Sequence, residues 1–119
     1  MKKSAEFNIE LNTKDQDGWT ALHFACCNGK VHLAAMLIQK SIDFNIQFNG
    51  QDRSGWTPFH HACCNGNLAI VEMIIDNAKS LKINLAAIDY RGRDGIDIAQ
   101  INENMEVLDM IKRKKNIAL

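Results

Sequence analysis

The sequence predicts an all-α repeat solenoid, built from helix-turn-helix units joined by β-hairpin-like loops. Three observations predict it. DQDGWTALHFACCNG, from Asp15 to Gly29, returns as DRSGWTPFHHACCNG, from Asp52 to Gly66, displaced by 37 residues. A third, eroded copy follows at the same offset, where Gly55 maps onto Gly92, Phe59 onto Ile96, Ala62 onto Ala99 and Asn65 onto Asn102. Between these stretches, apolar residues recur at helical spacing. A fixed period of this size marks units that bury their apolar faces only against their neighbours. Such stacks present long ridged surfaces, which turns the functional reading from chemistry toward binding.

Residues 1–14 form an arm or a partial preceding repeat, and FNIELNTKD (Phe7–Asp15) ends it. The first unit spans 15–51. Gly18-Trp19-Thr20 is a turn leading into a helix that Thr20 can cap. Leu22, Ala25 and Cys26 fall at i, i+3 and i+4, one apolar stripe, and Gly29 can end the helix in a left-handed cap. A second helix over Val31–Lys40 turns Leu33, Ala34, Leu37 and Ile38 inward. The alternating stretch FNIQFNGQD (Phe44–Asp52) reads as an extended arm entering the next hairpin.

The second unit, 52–88, repeats the plan. Pro58 stands at the first helical position, where a missing N–H costs nothing. The second helix covers Leu68–Asn77, with Ile70, Val71, Ile74 and Ile75 inward, and LKINLAAID (Leu81–Asp89) is its arm. The third unit, 89–115, departs in a directed way. The threonine, proline and histidine places become Asp94, Gly95 and Asp97, the Ile75 place becomes Lys112 and the glycine place becomes Glu103. Ile96, Ile98, Ala99, Val107, Leu108 and Ile111 keep one apolar side. A unit apolar on one side and polar on the other is what a terminal capping repeat requires. Residues 116–119 read as a tail.

Composition narrows the function classes. The 119 residues amount to one domain, and a hydrophobic fraction of 46% suffices for a packed core. Formal net charge is zero, which argues against nucleic acid as partner. No apolar run approaches the ~20 residues of a membrane span, and MKKSAEFNIELN lacks the apolar stretch of a signal peptide. Cys26–Cys27 and Cys63–Cys64 are adjacent pairs that recur with the repeat, a pattern of reduced thiols in a reducing compartment. The localisation expected is intracellular and cytoplasmic, with the nucleus as the alternative if the basic run Lys112–Lys115 acts as a localisation signal. The same run reads more simply as a solvated helix end favoured by the helix dipole.

The units resemble ankyrin repeats. The matching residues are Asp15, Gly18, Thr20, Leu22, His23, Ala25 and Gly29, then Asp52, Gly55, Thr57, Pro58, His60, Ala62 and Gly66. TPFHHA (Thr57–Ala62) nearly completes the T-P-L-H-x-A signature, and TALHFA (Thr20–Ala25) follows it closely. The likeness covers roughly residues 7–115. The period exceeds the usual ~33 by about four residues, placed between second helix and hairpin, so longer connections are expected there. His61 stands where the family is usually apolar, and no full N-terminal cap precedes Asp15.

The resemblance implies a non-enzymatic protein-binding scaffold or adaptor that uses its hairpin tips and the exposed side of each first helix. Carried onto this sequence, that concave surface comprises Gln16, Asp17, Trp19, Cys27 and Asn28 in the first unit. The second unit gives Arg53, Ser54, Trp56, Cys64 and Asn65, and the third gives Tyr90, Arg91, Arg93, Ile101 and Asn102. Lys14, Gln51 and Ile88 border it. Trp19 and Trp56 are expected to point outward as anchors, since each can bury ~150–250 Å² against a partner. The alternative is that each indole folds back onto a neighbouring tip.

His23 and His60 belong to the family's own hydrogen bonding of hairpin and helix turn, and His32 reads as a solvated surface residue. The His-x3-Cys spacing of His23 with Cys27 and His60 with Cys64 is a metal-ligand spacing, but stacked helices stand ~10 Å apart, too wide for bonds of ~2 Å. Cys26 and Cys63 should fill the core. A cysteine nucleophile needs a base and a pocket, and neither is marked. The expectation is therefore no enzyme, no metal and no cofactor. Asn12 and Asn49 stand at the family's hairpin asparagine, which an asparaginyl hydroxylase modifies in some members. The partner expected is a protein, with neither nucleic acid nor membrane. The chain is expected to be a monomer or part of a longer array, where its role would be that of a spacer. A thiol- or metal-responsive variant using Cys27 and Cys64 is the third alternative.

Overall fold

The computed structural model describes residues 10–118. Its helices are α1 (Ala21–Cys27), α2 (Val31–Gln39), α3 (Ser41–Phe44), α4 (Pro58–Asn65), α5 (Leu68–Leu81), α6 (Gly95–Ile101) and α7 (Met105–Ala118). The first helices α1, α4 and α6 stack on one another, and α2, α5 and α7 stack behind them. No strand occurs among the described residues. The arms expected to be extended carry no ladder.

The helix starts follow from the sequence. Thr20 caps α1 and Thr57 caps α4, each threonine oxygen accepting from the backbone N–H of His23 or His60. The imidazole answers in kind: its Nδ1 accepts from the threonine N–H, at 3.2 Å for His23 and 3.1 Å for His60. In the third unit Asp94 and Asp97 rebuild the same reciprocal cap with two carboxylates. The cap survives a change of all its side chains because it needs only two acceptors three residues apart. At the other end, Gly66 closes α4 in the left-handed region, whereas α1 stops at Cys27 with Asn28 as its cap and Gly29 turns one residue later.

The surplus of the period is not spent on longer connections. α5 continues to Leu81, past the expected end at Asn77, and α2 is followed at once by the single turn α3. About four residues make one helical turn. The added turn buries Ser41 in the first unit and Ala78 in the second. Left-handed Asn45 and Lys82 then stop it, and Ile46 and Ile83 donate back to the carbonyls of Ser41 and Ala78.

The core runs continuously through the stack. Leu22, Leu37, Phe59, Ile70, Val71, Ile74 and Val107 are buried along it, with Cys26 and Cys63 as small apolar fillers. Burial pushes the Cys26 thiol up to about 12 and the Cys63 thiol upward too. Ile46, Phe48 and Ile83 carry the core into the arms. α6 lies very close to α4: a Cβ on Gly95 would stand 2.6 Å from the Phe59 ring and 3.0 Å from Cys63 Sγ.

Side chains, not strand ladders, join the arms. Asn12 donates to the Asn45 carbonyl at 2.7 Å and accepts from the Gln47 N–H at 2.8 Å. Asn49 repeats the staple on Lys82 and Asn84, at 3.1 and 2.7 Å. At the rear, Lys114 of the basic run reaches Glu72 at 3.1 Å and Asp76 at 2.9 Å, tying α7 to α5. His32 is exposed on α2.

Candidate interaction surface

Each tip is organised by one aspartate. Asp15, Asp52 and Asp89 each accept, through Oδ1, the backbone N–H groups two and four residues on, all at 2.9 Å. The same aspartate donates its own N–H to the carbonyl four residues on, closing the turn. Successive tips are then tied together, since the Arg53 N–H reaches the Asp17 carbonyl at 3.0 Å and the Tyr90 N–H the Ser54 carbonyl at 3.2 Å. The approach at the second joint leaves no room for a side chain: a Cβ on Gly55 would lie 2.7 Å from the Tyr90 N and Cδ1. Its φ of +81° also needs glycine. First helices anchor the following tip as well. His23 Nε2 donates to the Trp56 carbonyl at 2.9 Å and His60 Nε2 to the Arg93 carbonyl at 2.8 Å. Burial lowers the His23 pKa, which favours its neutral ring.

The second carboxylate oxygen distinguishes the tips. Asp89 Oδ2 accepts from Arg93 Nε and Nη2, at 2.9 and 2.8 Å, and from Trp56 Nε1 at 2.9 Å. Burial opposes its charge, but the Arg93 backbone and guanidinium donors prevail and hold it far below the usual carboxylate range. Asp52 Oδ2 instead meets His61 Nε2 at 2.8 Å, and both side chains are buried. Burial lowers the His61 pKa against the pull of Asp52, with His23 and His60 adding to the lowering. Asp52 is lowered as well: burial raises it, but the His61 donor and the Trp56 and Ser54 N–H groups outweigh that. Asp15 is exposed.

Trp19 and Trp56 flank His61. Their ring centroids lie 4.7 and 4.9 Å from the imidazole, both edge-on, and Trp56 also stacks on His60 at 5.9 Å. Both indoles are half-buried. Gln16, Asp17, Arg53, Ser54, Tyr90 and Arg91 are exposed on the tips. Arg93 is turned inward onto Asp89. Along the first helices Cys27 and Cys64 are half-buried, while Asn28, Asn65, Ile101 and Asn102 are exposed. Asn65 donates to the Cys27 carbonyl at 3.1 Å and Asn102 to Cys64 Sγ at 3.1 Å, a regular ladder between units. Burial raises the Cys27 pKa, and the neighbouring Cys64 adds to it, the opposite of an activated thiol. At the border, Lys14 Nζ donates to the Gln51 carbonyl and Gln51 Nε2 to the Ile88 carbonyl, both at 3.0 Å. No group of three or more His, Cys, Asp or Glu able to hold a metal ion occurs among the described residues.

The partners of the second oxygens of Asp52 and Asp89 were not read from the sequence. The signals were present. His61 interrupts an apolar place nine residues after Asp52, and Arg93 replaces the repeated tryptophan four residues after Asp89.

A family model described as ankyrin repeats (3 copies) matches residues 2–89. No curated protein matches the chain. No described helix is long and apolar enough to cross a membrane.

Proposed function

The chain belongs to the ankyrin repeat family, whose members are generally protein-interaction modules and typically non-enzymatic, and from that premise we propose that it is a non-enzymatic adaptor binding a protein partner on the face formed by its tips and first helices. One observation carries this reading. The three tips are fixed, internally by aspartates that each accept two backbone N–H groups and to each other by backbone bonds, while Gln16, Asp17, Arg53, Ser54, Tyr90 and Arg91 project from them. A surface ordered before binding loses little conformational entropy on binding, so the projecting side chains decide the affinity. Trp19 and Trp56 support the reading as half-buried aromatic walls beside those residues. A photo-crosslinking amino acid at Ser54 should capture a partner from cells that express the protein, and the same group at Asp109 on α7 should not. Capture from Asp109 alone would move the binding face to the rear.

A second reading, a segment of a longer array, has one observation in its favour. Phe24, His61 and Ile98 occupy equivalent places. His61 is 6% and Ile98 2% exposed, but Phe24 is 47% exposed, with Val31 and Leu33 beside it. A preceding unit stacked on α1 would cover it. Concentration-dependent association in sedimentation velocity that Phe24→Glu abolishes is the expected sign of such an open end, and a monomer at all concentrations contradicts it.

A further inference from the structure

The chemistry of the partner can be narrowed, on the premise that the tips are the binding face. Arg53 and Arg91 are exposed on neighbouring tips, and neither guanidinium makes a hydrogen bond or ion pair among the described residues. The carboxylates nearest to them in the chain are already engaged. Asp52 gives one oxygen to the Ser54 and Trp56 N–H groups and the other to His61. Asp89 gives its oxygens to the Arg91 and Arg93 N–H groups, the Arg93 guanidinium and the Trp56 indole. The aspartates of the second and third tips are thus withdrawn from the surface, and two guanidinium groups without an ion-pair partner among the described residues remain on a chain of zero net charge. The exposed tip carboxylates, Asp15 and Asp17, belong to the first tip. The face is therefore polarised, acidic at its first tip and basic across the second and third.

Tyr90, 71% exposed, precedes Arg91 in the chain and is bonded to Ser54, the residue after Arg53. It is not a loose surface residue, since its backbone is bonded to Ser54 and its ring lies against Gly55. Ile88, 56% exposed, stands two residues before it. An ordered tyrosine accompanied by arginines is the composition of an interface centre. Guanidinium groups match carboxylates in planar, two-bonded geometry.

We propose that the second and third tips bind an acidic protein segment, with carboxylates meeting Arg53 and Arg91 and an apolar side chain resting on Tyr90 beside Ile88. Nucleic acid is disfavoured, because two free arginines on a neutral chain do not supply the many phosphate contacts that binding it requires.

The test starts from a random-peptide phage library selected on the immobilised full-length chain. Enriched peptides are synthesised with a fluorescent label, and their anisotropy is titrated with wild type and variants. Acidic residues flanking an apolar one should be enriched. Affinity should fall about tenfold or more in the Arg53→Gln, Arg91→Gln double variant and weaken as salt rises. Both sites are exposed, so folding should survive, and circular dichroism checks it. Neutral or basic enriched peptides, binding unchanged by the double variant, an unenriched library, or tighter binding to a single-stranded oligodeoxynucleotide would each overturn the proposal. Peptides that lose binding with Tyr90→Ala but not with the arginine variants would leave the tip face standing and remove the acidic partner. Peptides indifferent to all three substitutions would remove the tip face itself.

Discussion

The second and third tips share one backbone and neutralise their aspartates by different means. Asp52 is held by an imidazole wedged between two indoles, and Asp89 by a guanidinium and an indole N–H. The repeated Asp-x-x-Gly turn needs only Oδ1. The other oxygen can be satisfied by whichever side chain the neighbouring positions offer. One partner is an imidazole that can take up a proton, its pKa lowered by burial, and the other is a guanidinium that stays charged, so two tips with the same geometry should respond differently to mutation and to pH.

The largest difference should come from removing the carboxylates. Asp89→Ala strands the Arg93 guanidinium, the Trp56 indole N–H and two backbone donors, and should cost about 2–4 kcal/mol in chemical denaturation. Asp52→Ala leaves a histidine that is neutral at pH 7, and should cost less, about 1–3 kcal/mol. Equal losses would show that the second oxygen is energetically idle.

Acid should distinguish the tips next. The pKa of His61, and of His23 beside it, is lowered in the folded chain. Around and below pH 6.5 the unfolded chain takes up protons that the folded chain refuses, so stability present above that pH is lost as pH falls. Between pH 7 and 5 the melting temperature should drop by about 3–6 °C. His61→Gln, which keeps a donor for Asp52 but does not titrate, should reduce that drop. The Asp89 site contributes nothing in this window, because its carboxyl stays ionised far below it. A slope unchanged by His61→Gln would show that His61 is not the titrating group.

The smallest effect concerns the tryptophans. Trp56→Phe removes the indole donor to Asp89 and should cost about 1 kcal/mol. The Trp19 indole N–H has no such acceptor among the described residues, so Trp19→Phe should fall within about 0.5 kcal/mol of wild type. Thermal melts of the two variants side by side would show the asymmetry or its absence.

Much of this was legible in the sequence, because repetition marks what each unit needs. Thr20 with His23 and Thr57 with His60 announced the helix starts, and the apolar stripes announced the core. The added turn over Ala78–Leu81 was harder to read, since Phe44–Asp52 and Leu81–Asp89 alternate as strands do. The alternation is real, with Ile46 and Phe48 buried between exposed neighbours, but the asparagine staples replace the ladder. His61 was visible as a departure without a destination: nothing local says that a residue at position 61 meets Trp19, an acceptor at Asp52 and Trp56 together. That meeting depends on how one unit stacks on the next.

The central claim is that the tips are rigid before any partner arrives. Native-state hydrogen exchange read at the backbone N–H groups of Ser54, Trp56, Arg91 and Arg93 tests it most directly, because each donates to a tip aspartate. Rigid tips should slow exchange by about a hundredfold or more relative to an unstructured peptide, the protection of a stable local structure. Exchange of these four amides at the unstructured rate, with the core of α4 and α5 still protected, would contradict it.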